Sequence, residues 1–306
     1  MIGITATALG AILLAVTGAP PHDGPAVRIK ALTKRMATVG RTAERLFQRS
    51  MCYAELRQYR SALDDLHGAI ELDPAHERAL VEHVRVLVAL QKPDDALASA
   101  RKARPLLRTP AFRARLSRVE ADLLTARKHY GLAIAHLDAA LRHVPNQPGV
   151  ILHRSILRGL LGQRDLRIRE LETLVDEPSA CGQSPIVEAA WVDALIDAGR
   201  FERARKVVET RLRESRFQSA WLLRRARIHM GMGHRKLAEA DLMSALRELT
   251  SRIRPESPDL LLVADRAAAL HLLGREKASR SDQKLLRAKH YPALLQLRLQ
   301  LIVRGS

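Results

Sequence analysis

The hydrophobic pattern is clearest between Ala43 and His76, AERLFQRSMCYAELRQYRSALDDLHGAIELDPAH. Apolar side chains recur there at the three- and four-residue spacing of two amphipathic helices separated by a tight turn. Tyr53 lies in the first helix, Ala62 and Ala69 stand seven apart in the second, and Leu72-Asp73-Pro74 stops it. The pattern returns down the chain: Ala96 and Ala103 follow Ala62 and Ala69 by 34 residues, and Ala133 and Ala140 follow by a further 37. A fourth unit, about 148–184, is degenerate. Leu161-Gly162-Gln163-Arg164-Asp165 marks its turn, but Arg167 stands where a packed Ala is expected, and Asp176-Glu177-Pro178 opens a loop. Regular units resume at about 185–218, with Ala204, and at 219–252, with Ala226, Gly233, Ala238 and Ala245. A weaker pair, Leu260–Leu273 and Glu276–Lys289, precedes the tail YPALLQLRLQLIVRGS.

Two antiparallel helices approach closely only where a small side chain faces the partner, so Ala at fixed spacing sets the packing distance. A Gly after the first helix supplies a left-handed cap. With these features, the 34 residues from Ala43 resemble a tetratricopeptide (TPR) repeat. The resemblance covers roughly residues 43–290. It implies an all-α, right-handed α-solenoid of about six to seven helix pairs, with repeats 1–3 in 43–147, a degenerate repeat and loop (a hinge or subdomain boundary) in 148–184, and repeats 5–7 in 185–290. Residues 20–42 form a basic linker and capping helix, and 291–306 a C-terminal capping tail.

Composition agrees with packed helices: aromatics are 3% of the 306 residues, while apolar residues are 47% and charged residues 27%. The net charge of +18, from 41 Arg and 10 Lys, favours anionic partners. Its placement argues against nucleic acid. The first unit is net −2, residues 148–184 are neutral, and the excess gathers at 20–42 and 261–306 with few aromatics for stacking bases.

Residues 1–19, MIGITATALGAILLAVTGA, hold no charge and end in small residues. They read as a signal peptide, placing the protein in the periplasm or outside the cell, or as an uncleaved membrane anchor. Cys52 and Cys181 are two unpaired thiols, too few for a disulfide framework or a structural zinc site. No phosphate-cradling glycine loop, nucleophile elbow or zinc helix occurs; the turn at 128–131 separates His129 from His136 and His143, and that pair lacks a nearby third ligand. Asp64-Asp65 and Asp94-Asp95 are read as acids at the starts of second helices, favoured there by the helix dipole. The expectation is a non-enzyme without a cofactor.

In the TPR family the first helix of each pair lines a concave groove. Carried onto this chain, the resemblance implies peptide contacts from Phe47 and Met51, beside Glu44 and Glu55, in the first unit. It implies Arg78, Val81 and Arg85 in the second, Arg115, Arg118, Asp122 and Thr125 in the third, and Leu223, Arg227 and Met230 in the sixth. Arg78, Arg85, Arg115 and Arg118 would form one wall suited to an acidic peptide segment. The single Asn, Asn146, argues against the family's carboxylate clamp. The expected function is an exported scaffold binding a protein or peptide. The alternative is a basic protein on anionic lipid headgroups or cell-envelope polymer.

Overall fold

The computed structural model describes residues 24–176, 184–289 and 293–304; the leader, Cys181 and its loop lie outside the described residues. The described chain is all α, an α-solenoid of stacked helix pairs. A flanking helix α1 (Pro25–Val39) precedes α2/α3 (Ala43–Glu55, Tyr59–Leu72), α4/α5 (Glu77–Ala89, Pro93–Ala103) and α6/α7 (Pro110–Ala126, Tyr130–His143). Then come α8/α9 (Pro148–Leu160, Arg164–Val175), α10/α11 (Pro185–Asp197, Phe201–Glu214), α12/α13 (Ser219–Gly231, Arg235–Arg252) and α14/α15 (Leu260–Leu272, Glu276–Ala288). A last helix, α16 (Ala293–Arg304), follows. The chain divides into two compact units, Met1–Leu123 and Leu124–Ser306. The division falls inside α6, not at the degenerate fourth repeat, whose helices pack within the second unit.

Every pair turns in the same way. The second residue after the first helix takes a left-handed conformation, and the next N–H donates to a carbonyl five residues back, as in Gln58→Tyr53, Lys92→Leu87 and His234→His229. Gly162, Gly199, Gly233 and Gly274 hold this position in the last four pairs, whereas Arg57, Gln91 and Lys128 hold it in the first three at φ 57°, 59° and 61°. Pro93, Pro148 and Pro185 start their helices, where a missing N–H goes unneeded.

The spaced alanines are buried as the packing argument requires, with Ala62, Ala69, Ala96, Ala103, Ala133, Ala140, Ala204 and Ala245 at 0% exposure. Arg167 in the fourth pair is accommodated by a glycine on the facing helix. A Cβ on Gly159 would lie 3.0 Å from the Arg167 Nη1, so the missing side chain makes room for the guanidinium.

A second device ties the helices of a pair together. Arg49 Nε and Nη2 donate to Asp65 Oδ2 and Oδ1, both at 2.7 Å. Arg225 holds Asp241 at 2.8 and 2.7 Å, and Arg266 holds Asp282 at 2.8 and 2.6 Å, through the same atoms. Each arginine stands eight residues before the left-handed turn residue and each aspartate eight after it. In α4/α5 the same positions hold His83 and Ser99, with Nδ1 and Oγ 2.7 Å apart. In α8/α9 they hold Arg154 and Glu170. Asp65 is therefore no helix-start acid: α3 begins at Tyr59, and Asp65 is a buried clamp partner. Asp94 and Asp95 do occupy the first turn of α5.

Two measurements test this scaffold. Arg49→Ala leaves the buried Asp65 carboxylate unpaired and should cost about 3 kcal/mol in urea unfolding. Replacing both partners, Arg49→Met with Asp65→Leu, should recover most of that loss. His83 is pushed down to about 4 by burial and then by neighbouring His67, whose ring lies 4.8 Å away. Its neutral form is the one the fold holds. The associated stability is fully present above about pH 6.5 and lost as pH falls toward 4, on the order of 2–3 kcal/mol in total. Urea midpoints between pH 7 and 4 should show that slope, and His83→Gln should flatten it.

Candidate functional site

The concave positions of the first unit come from α2, α4 and the part of α6 up to Leu123. Arg78 donates to Glu44 of the preceding first helix and lies over the Phe47 ring at 5.0 Å. His76 joins the same carboxylate at 3.2 Å while its Nδ1 accepts from the Ala79 N–H, capping α4. Phe47 is buried, and Met51 packs partly buried against the same core. Arg78 and Phe47 thus join α2 to α4.

Arg85, Arg115 and Arg118 form a different group. Arg85 Nη1 donates to Glu82 at 2.7 Å, and Arg118 is exposed. Burial is the main influence lowering Arg115 from the usual guanidinium value. Arg85 and Arg118 add repulsion, and Glu82 opposes it. Arg85, Arg118 and Glu82 therefore all act on Arg115, and Arg85 is the one bonded to Glu82. The Asp122 side chain is reached by solvent yet enclosed by protein, and that enclosure pushes its carboxyl up to about 6 against the pull of Arg118. Of the expected arginine wall, the structure brings together Arg85, Arg115 and Arg118 and assigns Arg78 to Glu44.

In the second unit, Arg227 is buried rather than open to a groove. Its Nη1 donates to Asp193 Oδ1 at 2.9 Å and its Nη2 to Asp197 Oδ1 at 2.6 Å. Arg224 Nη2 donates to Asp193 Oδ2 at 2.9 Å and its Nη1 to the Ala220 carbonyl at 2.8 Å. Arg167 from α9 reaches Asp197. Burial would raise the Asp193 carboxyl, but Arg224, Arg298, Arg227 and Arg167 outweigh it and hold it well below the usual carboxylate range. Asp265 is enclosed nearby, and burial raises its carboxyl against the opposing pull of Arg298 and Arg224.

α16 runs through this arrangement. It packs on α14 and also on α8, so it lies across the first helices instead of covering the end of the stack. Arg298 Nη2 points to Asp193 Oδ2 at 3.4 Å. Leu299 and Ile302 join one core with Leu223, Ala226, Val263 and Ala267, and Met230 packs against it. The tail expected as an end cap is thus seated over the positions Leu223, Arg227 and Met230, because its two flanking stripes are apolar and match the helices on either side. A cavity of about 700 Å³ remains beside it, bordered by Gly159, Arg167, Asp197, Arg227, Gly231 and Leu301.

The buried charges went unrecognised in the sequence, although their spacing is a signal. Arg78 stands 34 residues after Glu44, Arg227 stands 34 after Asp193, and Asp197 stands 30 after Arg167. One repeat length places such residues side by side on neighbouring helices. Among the described residues no group of three His, Cys, Asp or Glu lies close enough to hold a metal ion. Asp193→Ala should leave the buried cations Arg224 and Arg227 uncompensated and cost about 3–5 kcal/mol in chemical unfolding.

No family model matches the chain. It is 28% identical over 240 residues to tetratricopeptide repeat protein 34 of Homo sapiens, covering 78% of this chain and 37% of that protein. The matched region therefore spans little more than a third of that relative. A tetratricopeptide repeat protein from Parabacteroides merdae superposes with a TM-score of 0.59 at 18% identity, over 85% of this chain and 98% of that one. The C-terminal part of a TPR repeat-containing protein from Cytophaga hutchinsonii gives 0.57 at 13% identity, over 85% and 98% of the two chains. YrrB, a TPR protein with an unusual peptide-binding site, gives 0.50 at 16% identity, over 61% and 93%.

Proposed function

This chain is a tetratricopeptide-repeat protein, and on that premise we propose that it is a non-enzymatic scaffold binding an acidic protein or peptide segment on the first helices of its first unit. The observation that carries this reading is the proximity of Arg85, Arg115 and Arg118, where burial first and then repulsion from Arg85 and Arg118 lower Arg115, with Glu82 as the counter-charge. A carboxylate docking there relieves the repulsion and accepts charge-assisted hydrogen bonds from guanidinium forks. Phe47 and Met51 contribute as an apolar floor from the neighbouring helix, where Arg78 and Glu44 hold the joint. The peptide-binding site of YrrB, which shares the fold, supports a peptide as the ligand class. The uncharged stretch 1–19 supports export, and a mature chain beginning near Ala19 in an exported fraction would establish it.

The test is fluorescence anisotropy of a glutamate-rich peptide on the intact protein. Arg85→Glu with Arg118→Glu should weaken binding at least ~10-fold while the thermal unfolding midpoint stays within a few degrees, since these two side chains are the accessible ones. Raising salt to ~0.5 M should weaken the parent complex as well. Unchanged affinity in the charge-reversed protein would remove the arginine wall as a site.

A further inference from the structure

We propose that the first helices of the second unit form a groove for an amphipathic apolar helix carrying one arginine, and that α16 is its resident occupant, released when a helix of the same chemistry takes its place. The proposal rests on the reading of the first helices as the binding face, but concerns a different unit and a different ligand chemistry from the arginine wall.

Three observations carry it. First, α16 is embedded as a ligand would be. It has 12 residues, about 18 Å of helix, and among its described side chains only Gln300 is exposed. Leu295, Leu299 and Ile302 form an i, i+4, i+7 stripe in the core built on α12 and α14. The adjacent stripe faces the other wall. Arg298 reaches Asp193 on α10, and Leu301 lies against α8, 3.1 Å from the position of a Gly159 Cβ. A helix buried along both stripes occupies a trough, and the small residues Gly159, Ala226, Ala264 and Ala267 line it.

Second, the contact of α16 with Asp193 is supplementary to that carboxylate's own pairing. Arg298 stands 3.4 Å from Asp193, whereas Arg224 and Arg227 hold the two oxygens of that carboxylate at 2.9 Å each. Departure of α16 leaves Asp193 held by Arg224 and Arg227, but takes the pull of Arg298 from the enclosed Asp265, which then calls for a replacement cation. The acidic spot formed with Asp265 still selects a helix bearing a cation at the position of Arg298.

Third, the groove is larger than its occupant. The cavity of about 700 Å³ borders Leu301 and lies between the ends of α8, α10 and α12. A longer helix than α16 gains further surface there, which gives an incoming partner the advantage needed to displace it.

The experiment uses the full-length chain and a fluorescein-labelled peptide with the sequence of residues 293–304, ALLQLRLQLIVR. Leu299→Glu with Ile302→Glu loosens α16 without altering the groove. This variant should bind the peptide at least ~10-fold more tightly than the parent chain, and a peptide carrying R298E should lose that gain. Hydrogen exchange should show residues 293–304 unprotected in the variant while α10, α12 and α14 stay protected. Equal peptide affinity in variant and parent overturns the proposal. So does loss of protection across α10–α14, which would make α16 part of the core. The Arg85 and Arg118 substitutions lie in the other unit, so either reading can fail alone.

Discussion

Close approach of two antiparallel helices is the constraint on which this structure rests. Five of the seven second helices present alanine where the partner passes, at Ala62, Ala96, Ala133, Ala204 and Ala238, and these residues are excluded from solvent. The approach distance they permit decides the rest, because a shared turn geometry and a clamp with eight residues on either side of that turn work only at one separation. The fourth pair shows how strict the requirement is. An arginine replaces the small residue, and the facing position becomes Gly159, so the sum of volumes is kept while the individual residues change.

The charge of the chain reads differently once the helices are stacked. Many arginines are spent internally, on carboxylates 16 residues away within a pair or 30–34 residues away on a neighbouring repeat. Such pairs add modest net stability, but removing one partner is costly because the other is left in a low-dielectric site. They also oppose sliding between helices, since a bidentate fork accepts one register. In the first unit Arg85, Arg115 and Arg118 lie near one another with Glu82 as the carboxylate bonded to Arg85, and this group matters most for the proposed recognition.

The second unit treats its inner face in another way. Its first helices close around α16, with an apolar wall on one side and a pre-satisfied acidic spot on the other. Asp193 keeps Arg224 and Arg227 whether or not Arg298 is present, while the enclosed Asp265 draws on the cation that the helix brings.

The fold was legible in the residues alone because its signals are local. Helical periodicity, the recurring alanines and the turn residues act within one repeat, and Ala43–Glu55 and Leu260–Leu272 begin where the pattern placed them. The positions facing inward were legible too, through the family resemblance, but their roles were not. Whether Arg227 meets a ligand or Asp193 depends on a residue 34 positions earlier, and whether Leu223 and Met230 are open depends on a helix some 70 residues later. Asp65 looked like a dipole residue because its sequence neighbours are helical, while its partner Arg49 lies across the turn. Side-chain partners separated by a repeat or more are chosen by stacking geometry, which no single segment encodes.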